Sequence, residues 1–304
     1  MPAPVAIFCY NRPDCLQKCV AQLAKNPLAA STPLYFFSDA AKTASDVKQV
    51  QQVRSYLKAV TGFEHIVIIE APRNKGLARS IIDGVTSILN KFEEVIVLED
   101  DLITTENFLD FMNACLNFYR LNSKVFSISG FTMPINMEQE FQHDVYFTKR
   151  ASSWGWATWR NRWTDIDWEV KDYRTFAANR EARRKFNLMG SDLSGMLDKQ
   201  MKGKINSWAI RWCYHQFKTE TFTVFPCTSK VENIGFVASA SHTSPIQSGR
   251  FKTELDKSLR RQFDLNHQVE LNSGIIMQFT RPYSLRTRLK YKLMGFFPKV
   301  ISAH

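Results

Sequence analysis

Over the first 130 residues, short apolar runs alternate with amphipathic stretches, and the period of the pattern switches back and forth between them. Val5–Cys9, Leu34–Phe37, His65–Ile69, Val95–Leu98 and Val125–Ile128 read as strands. Between them apolar positions recur at helical spacing: Leu16, Cys19, Val20 and Leu23, then Val47, Val50, Val53 and Leu57, then Leu77, Ile81, Val85 and Ile88. Asn11-Arg12-Pro13-Asp14 marks a helix start with proline in the first turn. Thr105 reads as the N-cap of a helix burying Phe108, Leu109, Met112, Cys115 and Leu116. This alternation predicts an α/β domain, a largely parallel sheet with helices on both faces.

The second half follows a different pattern. Trp154, Trp156, Trp159 and Trp163 fall within ten residues, more indole than a core is expected to absorb, so some should line a surface or cleft and face a ligand, the alternative being a loop pinned down by its own aromatics. Gly155 among them allows a tight turn or a close approach to that ligand. Ser207 caps a short helix carrying Trp208, Arg211, Trp212 and His215, and Thr221–Phe225 is a strand stopped by Pro226. The small polar run 238–245 reads as a mobile loop. A domain is expected over 1–250, with halves at 1–130 and 131–250, followed by an extension over 251–304.

Composition narrows the class. With 304 residues and 44% hydrophobic content, the chain can bury a sizeable core. Its six cysteines form no CxxC pair, and Cys15 and Cys19 have no second pair to complete a zinc site. The start has no basic n-region or cleavage site, and no stretch approaches the roughly 18 apolar residues of a membrane span. A cytoplasmic protein is therefore expected.

A net charge of +11 leaves nucleic acid, anionic lipid or a small polyanion as partners. Nucleic-acid motifs are missing. Residues 281–304 hold no acid and interleave Arg281, Arg286, Arg288, Lys290, Lys292 and Lys299 with Leu285, Leu289, Tyr291, Leu293, Phe296 and Phe297. That basic amphipathic tail suits either the inner face of an anionic membrane or a helix packed on the domain with a solvated basic face.

The strand Val95–Leu98 runs straight into Glu99-Asp100-Asp101. In open α/β sheets, ligands gather beyond the carboxyl ends of buried strands, so acids there are candidate site residues, whereas Glu93-Glu94 at the strand's entrance only solvates a loop. Neither a Gly-x-Gly-x-x-Gly fingerprint nor a P-loop is present. Lys75 and Arg79, at the start of the third helix, are in position to contact a diphosphate.

The run Val97-Leu98-Glu99-Asp100-Asp101-Leu102, followed by Asn107-Phe108-Leu109-Asp110-Phe111, resembles the acidic motif of GT-A glycosyltransferases of the N-acetylglucosaminyltransferase I type. Ile7–Arg12, Ser38-Asp39, Gly155-Trp156 and Ser207-Trp208 are similar to further segments of that family, over roughly residues 4–245. Bacterial proteins of the same fold in surface-polysaccharide assembly are a nearer likeness. The resemblance implies a GT-A, Rossmann-like, mixed and mostly parallel sheet, and a nucleotide-sugar donor, UDP-sugar favoured, with Mn²⁺ or Mg²⁺. It implies that Arg12 and Asp39 bind the nucleotide, Asp39 at a pyrimidine base. Glu99 and Asp100 would serve the ribose and the metal's water shell, Asp101 would ligate the metal, and His242 would complete its site. Trp154, Gly155, Trp156 and Trp208 would face the sugars. Asp100 and Asp101 cannot both coordinate if the strand persists through them.

The family's catalytic carboxylate precedes a tryptophan, but here that stretch is Asn206-Ser207-Trp208. Asp192, Asp198, Asp165, Asp167 and Glu232 are therefore the candidates for the base of an inverting transfer to a glycan or lipid-linked acceptor. Two other readings are a carbohydrate-binding adaptor that has lost its base and a sugar-1-phosphate nucleotidyltransferase. The latter lacks a Gly-rich signature near residue 10.

Overall fold

Along Val5–Cys9 (β1), Val5 and Ile7 point to one face of a sheet and Ala6 and Phe8 to the other, and both faces are buried. The structure, a computed structural model, describes residues 1–235 and 251–296. The further strands are Leu34–Ser38 (β2), Ile66–Glu70 (β3), Glu94–Glu99 (β4), Leu102–Thr104 (β5), Val125–Ser129 (β6), Val145–Thr148 (β7), Trp156–Trp159 (β8), Phe222–Pro226 (β9) and Val231–Asn233 (β10). Eight form one sheet in the order β3-β2-β1-β4-β8-β6-β9-β7, while β10 pairs with β5 in a small second sheet.

The pairs β2–β3, β1–β2, β1–β4 and β6–β9 are parallel, and β4–β8, β6–β8 and β7–β9 antiparallel. The expected mixed, mostly parallel sheet flanked by helices is the one observed. Helices Pro13–Leu23 (α1), Val47–Leu57 (α2) and Phe108–Tyr119 (α4) cover one face through Leu16, Val53 and Met112. Leu77–Leu89 (α3) covers the other with Ile81, Val85 and Ile88, beside the helix Trp208–Lys218.

Several boundaries differ from the sequence reading. Asn107, rather than Thr105, precedes α4, and the Thr105 hydroxyl donates instead to Asn107 Oδ1 at 2.8 Å. Ser207 does cap its helix, accepting from Ile210 N at 3.3 Å. The tryptophan run contains β8, inserted antiparallel between β4 and β6. Trp156 and Trp159, three residues apart on this doubly buried strand, reach opposite faces.

Residues 251–283 pack into the same core instead of standing apart from it. Ile275 and Phe279 are buried, Phe263 meets Phe111 edge-on at 5.3 Å, and Tyr119 donates to Asn266 O at 2.8 Å. Lys230, buried between the Phe111 and Phe263 rings, pairs with Asp256, which also accepts from Asn107 Nδ2 at 2.9 Å. A break at residue 250 therefore has no counterpart in the packing. Among the described residues no helix is long and apolar enough to cross a membrane.

Candidate active site

From β1 the chain runs outward to β2 and β3 on one side and crosses back to β4 on the other, so the carboxyl ends of β1 and β4 form the switch point at which open α/β sheets place a ligand crevice. Arg12 follows β1, Asp39 follows β2, and Glu99–Asp101 close β4. Here the strand ends at Glu99, and Asp100 and Asp101 form a turn. The strand does not persist, so the opposite-face constraint lapses and both aspartates turn toward Arg12.

The Arg12 guanidinium bridges the pair, meeting Asp100 through Nη2 and donating from Nη1 to Asp101 Oδ2 at 2.7 Å. Asp100 also accepts from Tyr10 N at 3.2 Å. Burial of the pair would disfavour charge on Arg12, yet Asp100 and Asp101 hold its pKa above the ordinary arginine value. Burial lifts Asp100 to about 6 despite that guanidinium. The crowding of protein atoms around the half-buried Glu99, reinforced by Asp101 and Asp100, raises its carboxyl well above the usual carboxylate range.

Asp101 Oδ1 is buried and has no hydrogen-bond partner among the described residues. A buried carboxylate oxygen left without a donor is costly, and a hard cation is a partner that would satisfy it. The backbone closes tightly over this group: Ile234 N donates to Asp101 O at 2.9 Å, and a Cβ on Gly235 would collide with Asp101 Oδ2 and Arg12 Nη1. Among the described residues no group of three His, Cys, Asp or Glu side chains is arranged to hold a metal. His242 lies outside the described residues, as does the polar run 238–245.

Several expected site residues have other partners. Asp39 accepts from Ala40 N, Asn74 Nδ2, Lys75 N and Gly76 N at 2.9–3.2 Å. Its carboxylate thus clasps the loop that opens α3 instead of projecting free toward a base. The same bonds take up the Lys75 and Gly76 N–H groups at the entrance to α3. The side chains of Lys75 and Arg79 fold onto Asp83 at 3.3 and 2.8 Å.

The sugar-facing tryptophans are largely corrected. Trp156 and Trp208 are buried: Trp156 stacks on Trp163 at a centroid distance of 5.7 Å, and Trp156, Trp208 and Trp212 meet one another at tilted angles with centroids 4.3–5.2 Å apart. A doubly buried strand and a helix meet there and bury the indoles together. Gly155, at φ +57°, approaches Leu98, Phe108 and Val231 and not a cleft. Trp154 alone of that run keeps some surface, its ring edge-on to Phe131 at 4.5 Å.

The candidate bases also separate. Asp192 is held by both terminal nitrogens of Arg150 at 2.8 and 2.9 Å, and Asp198 likewise by Arg183, with Tyr173 donating to it. Burial opposes charge on Asp192, but Arg150 holds its pKa below the ordinary value. Such clamped carboxylates are structural ties, Asp198 within the helical layer of residues 170–217 and Asp192 between that layer and the segment after β7. Asp165 is exposed beyond Trp163, and Asp167 accepts from Glu169 N and Lys171 N in the following loop. Glu232 stands apart: it is exposed on β10, opposite Ile103 of β5, the strand that begins directly after Asp101. The β5–β10 pairing joins segments about 130 residues apart, and the sequence carries no local signal for it.

No family model matches the chain. Over 179 residues it is 25% identical to the alpha-1,3-mannosyl-glycoprotein 2-beta-N-acetylglucosaminyltransferase of Arabidopsis thaliana, a stretch covering 54% of this chain and 39% of that protein. The relative is, by name, a glycosyltransferase. The chain spans about two fifths of its length. The likeness falls on the family that the acid triplet resembles. Among solved structures, S. aureus TarS residues 1–349 superpose with a TM-score of 0.43 at 10% identity, covering 76% of this chain and 60% of that one. A second TarS structure gives 0.37 at 12% identity, covering 55% and 30%. At those scores neither superposition carries functional weight.

Proposed function

We propose that this chain is a glycosyltransferase that moves a hexosyl or N-acetylhexosaminyl group from a nucleotide-sugar donor, UDP-sugar favoured, to a glycan or lipid-linked acceptor. The observation that carries this reading is the buried Asp101 Oδ1, without a partner among the described residues, at the sheet's switch point beside a cation-bridged second carboxylate. Asp101 would hold Mn²⁺ or Mg²⁺, which supplies charge neutralisation to a departing diphosphate. Asp100 anchors Arg12 at the mouth of the crevice, where the guanidinium is in reach of a phosphate. Glu99 would serve the ribose, and Gly235 lets the backbone pass close to Asp101 Oδ2 and Arg12 Nη1. With Asp192 and Asp198 clamped by arginines, we assign Glu232 the proton of the acceptor hydroxyl in an inverting transfer. We place the reaction in surface-polysaccharide synthesis at the inner face of a bacterial membrane.

Thermal unfolding with UDP and Mn²⁺ tests the donor site. The melting temperature should rise with both ligands together, and Asp101→Asn should abolish the rise. No shift with UDP, GDP, CDP or dTDP would end the reading. Glu232→Gln should keep the shift and lose about 10²–10⁴-fold in transfer rate. Full transfer by that variant would assign the base elsewhere.

A further inference from the structure

The helix Leu285–Phe296 packs on the domain and still leaves an apolar stripe uncovered. It meets the protein through half-buried Thr287, Arg288 and Tyr291, with Arg288 donating to Ser191 Oγ at 3.1 Å and Ser191 to Tyr283 O at 2.6 Å. Leu285, Leu289 and Leu293, spaced one turn apart, are 71%, 58% and 51% exposed. Exposed Arg286 and Lys290 flank that stripe. Two further exposed apolar side chains come from neighbouring segments: Met277 on the helix Ser273–Thr280, and Leu188 on the turn Asn187–Met189 that packs against it.

We infer that this composite face docks the protein on an anionic lipid bilayer. The inference deepens the membrane part of the function proposed above and is independent of the donor chemistry. Leucines one turn apart present a continuous apolar edge that can enter the acyl boundary, while the flanking cations stay among the headgroups. Charge decides between occupants. Residues 281–304 contain no acid and the whole chain carries +11, so a second copy would set Arg286 and Lys290 against a surface of the same sign. An anionic membrane complements both the leucines and the cations. The tie through Arg288, Ser191 and Tyr283 holds the helix along the domain surface, so docking would set the whole domain against the bilayer in one orientation.

Co-sedimentation of the full chain with vesicles tests this. It should pellet with phosphatidylcholine–phosphatidylglycerol vesicles, remain in the supernatant with phosphatidylcholine alone, and be released by salt. The triple variant Leu285→Ser, Leu289→Ser, Leu293→Ser should bind more than about tenfold more weakly. Arg286→Gln and Lys290→Gln should each cost about fivefold. All variants should keep the wild-type melting temperature and its shift with UDP and Mn²⁺, which separates failure of docking from failure of the donor site. Absence of vesicle binding, binding indifferent to lipid charge, or binding untouched by the leucine substitutions would overturn the inference. So would a concentration-dependent dimer that the leucine variant abolishes, since the face would then belong to a second copy.

Discussion

Asp101 holds its two oxygens in different states, one bonded to Arg12 and the other buried with no donor among the described residues. Gly235 makes that arrangement possible because any Cβ would strike both side chains. Gly235→Ala should therefore cost about 1–3 kcal/mol in stability and shrink the thermal shift with UDP and Mn²⁺. An unchanged shift would show that the backbone at 234–235 has no part in the site. A second buried group links the fold's stability to pH. Burial would raise the Asp256 carboxyl, but Lys230, Asn107 and Ser258 bond to the ionised form and hold its pKa below the ordinary value. A depressed carboxylate pKa contributes stability in full above the unfolded-state value of about 4, and the contribution is lost as pH falls through the folded-state value. Asp256→Asn should destabilise by about 3–5 kcal/mol at neutral pH, leaving Lys230 buried and unpaired. Its unfolding free energy should also fall less than the wild type's between neutral and acid pH, which denaturant titrations at each pH would measure.

At the scale of elements, β8 is where sequence and structure part most clearly. A tryptophan-rich run reads as a binding platform, but as an antiparallel strand between β4 and β6 it is covered on both sides. Trp156→Ala should lower stability by about 3–5 kcal/mol with the acceptor KM unchanged in whatever enzyme remains folded. A selective rise in KM at wild-type melting temperature would restore the sugar-facing role. The elements of the first half were readable because each announces itself locally, β1 to β4 by apolar runs and α1 to α3 by one buried face. Ser207 was readable for the same reason, since a cap is a contact with residues three positions away. The pairing of β5 with β10 had no such signal, and with it went the nearness of Glu232 to Asp101.

At the scale of the molecule, the C-terminal segment is a structural clamp as well as a surface. The Asn107–Asp256, Asp110–Arg261 and Tyr119–Asn266 contacts bind α4 and its entrance to residues 256–266. Truncation after residue 250 should therefore yield an unfolded or aggregated chain, read by circular dichroism and gel filtration, because it strips Phe263, Ile275 and Phe279 from the core and leaves Lys230 without its anion. A monomeric truncation with a cooperative transition would show that residues 1–250 form a domain by themselves.

By itself the sequence determined the order of strands and helices in the first 130 residues and set three acids at the end of a buried strand, because periodicity and strand ends are properties of neighbouring residues. The tertiary structure decided which of those acids meet Arg12, which oxygen of Asp101 has no partner among the described residues, that Trp156 and Trp208 are core, and that Glu232 pairs with Ile103, two residues after Asp101. Those outcomes depend on sheet order and on contacts between residues far apart in the chain, 89 positions for Arg12 and Asp101 and 149 for Asn107 and Asp256, and no local pattern of side chains encodes such contacts.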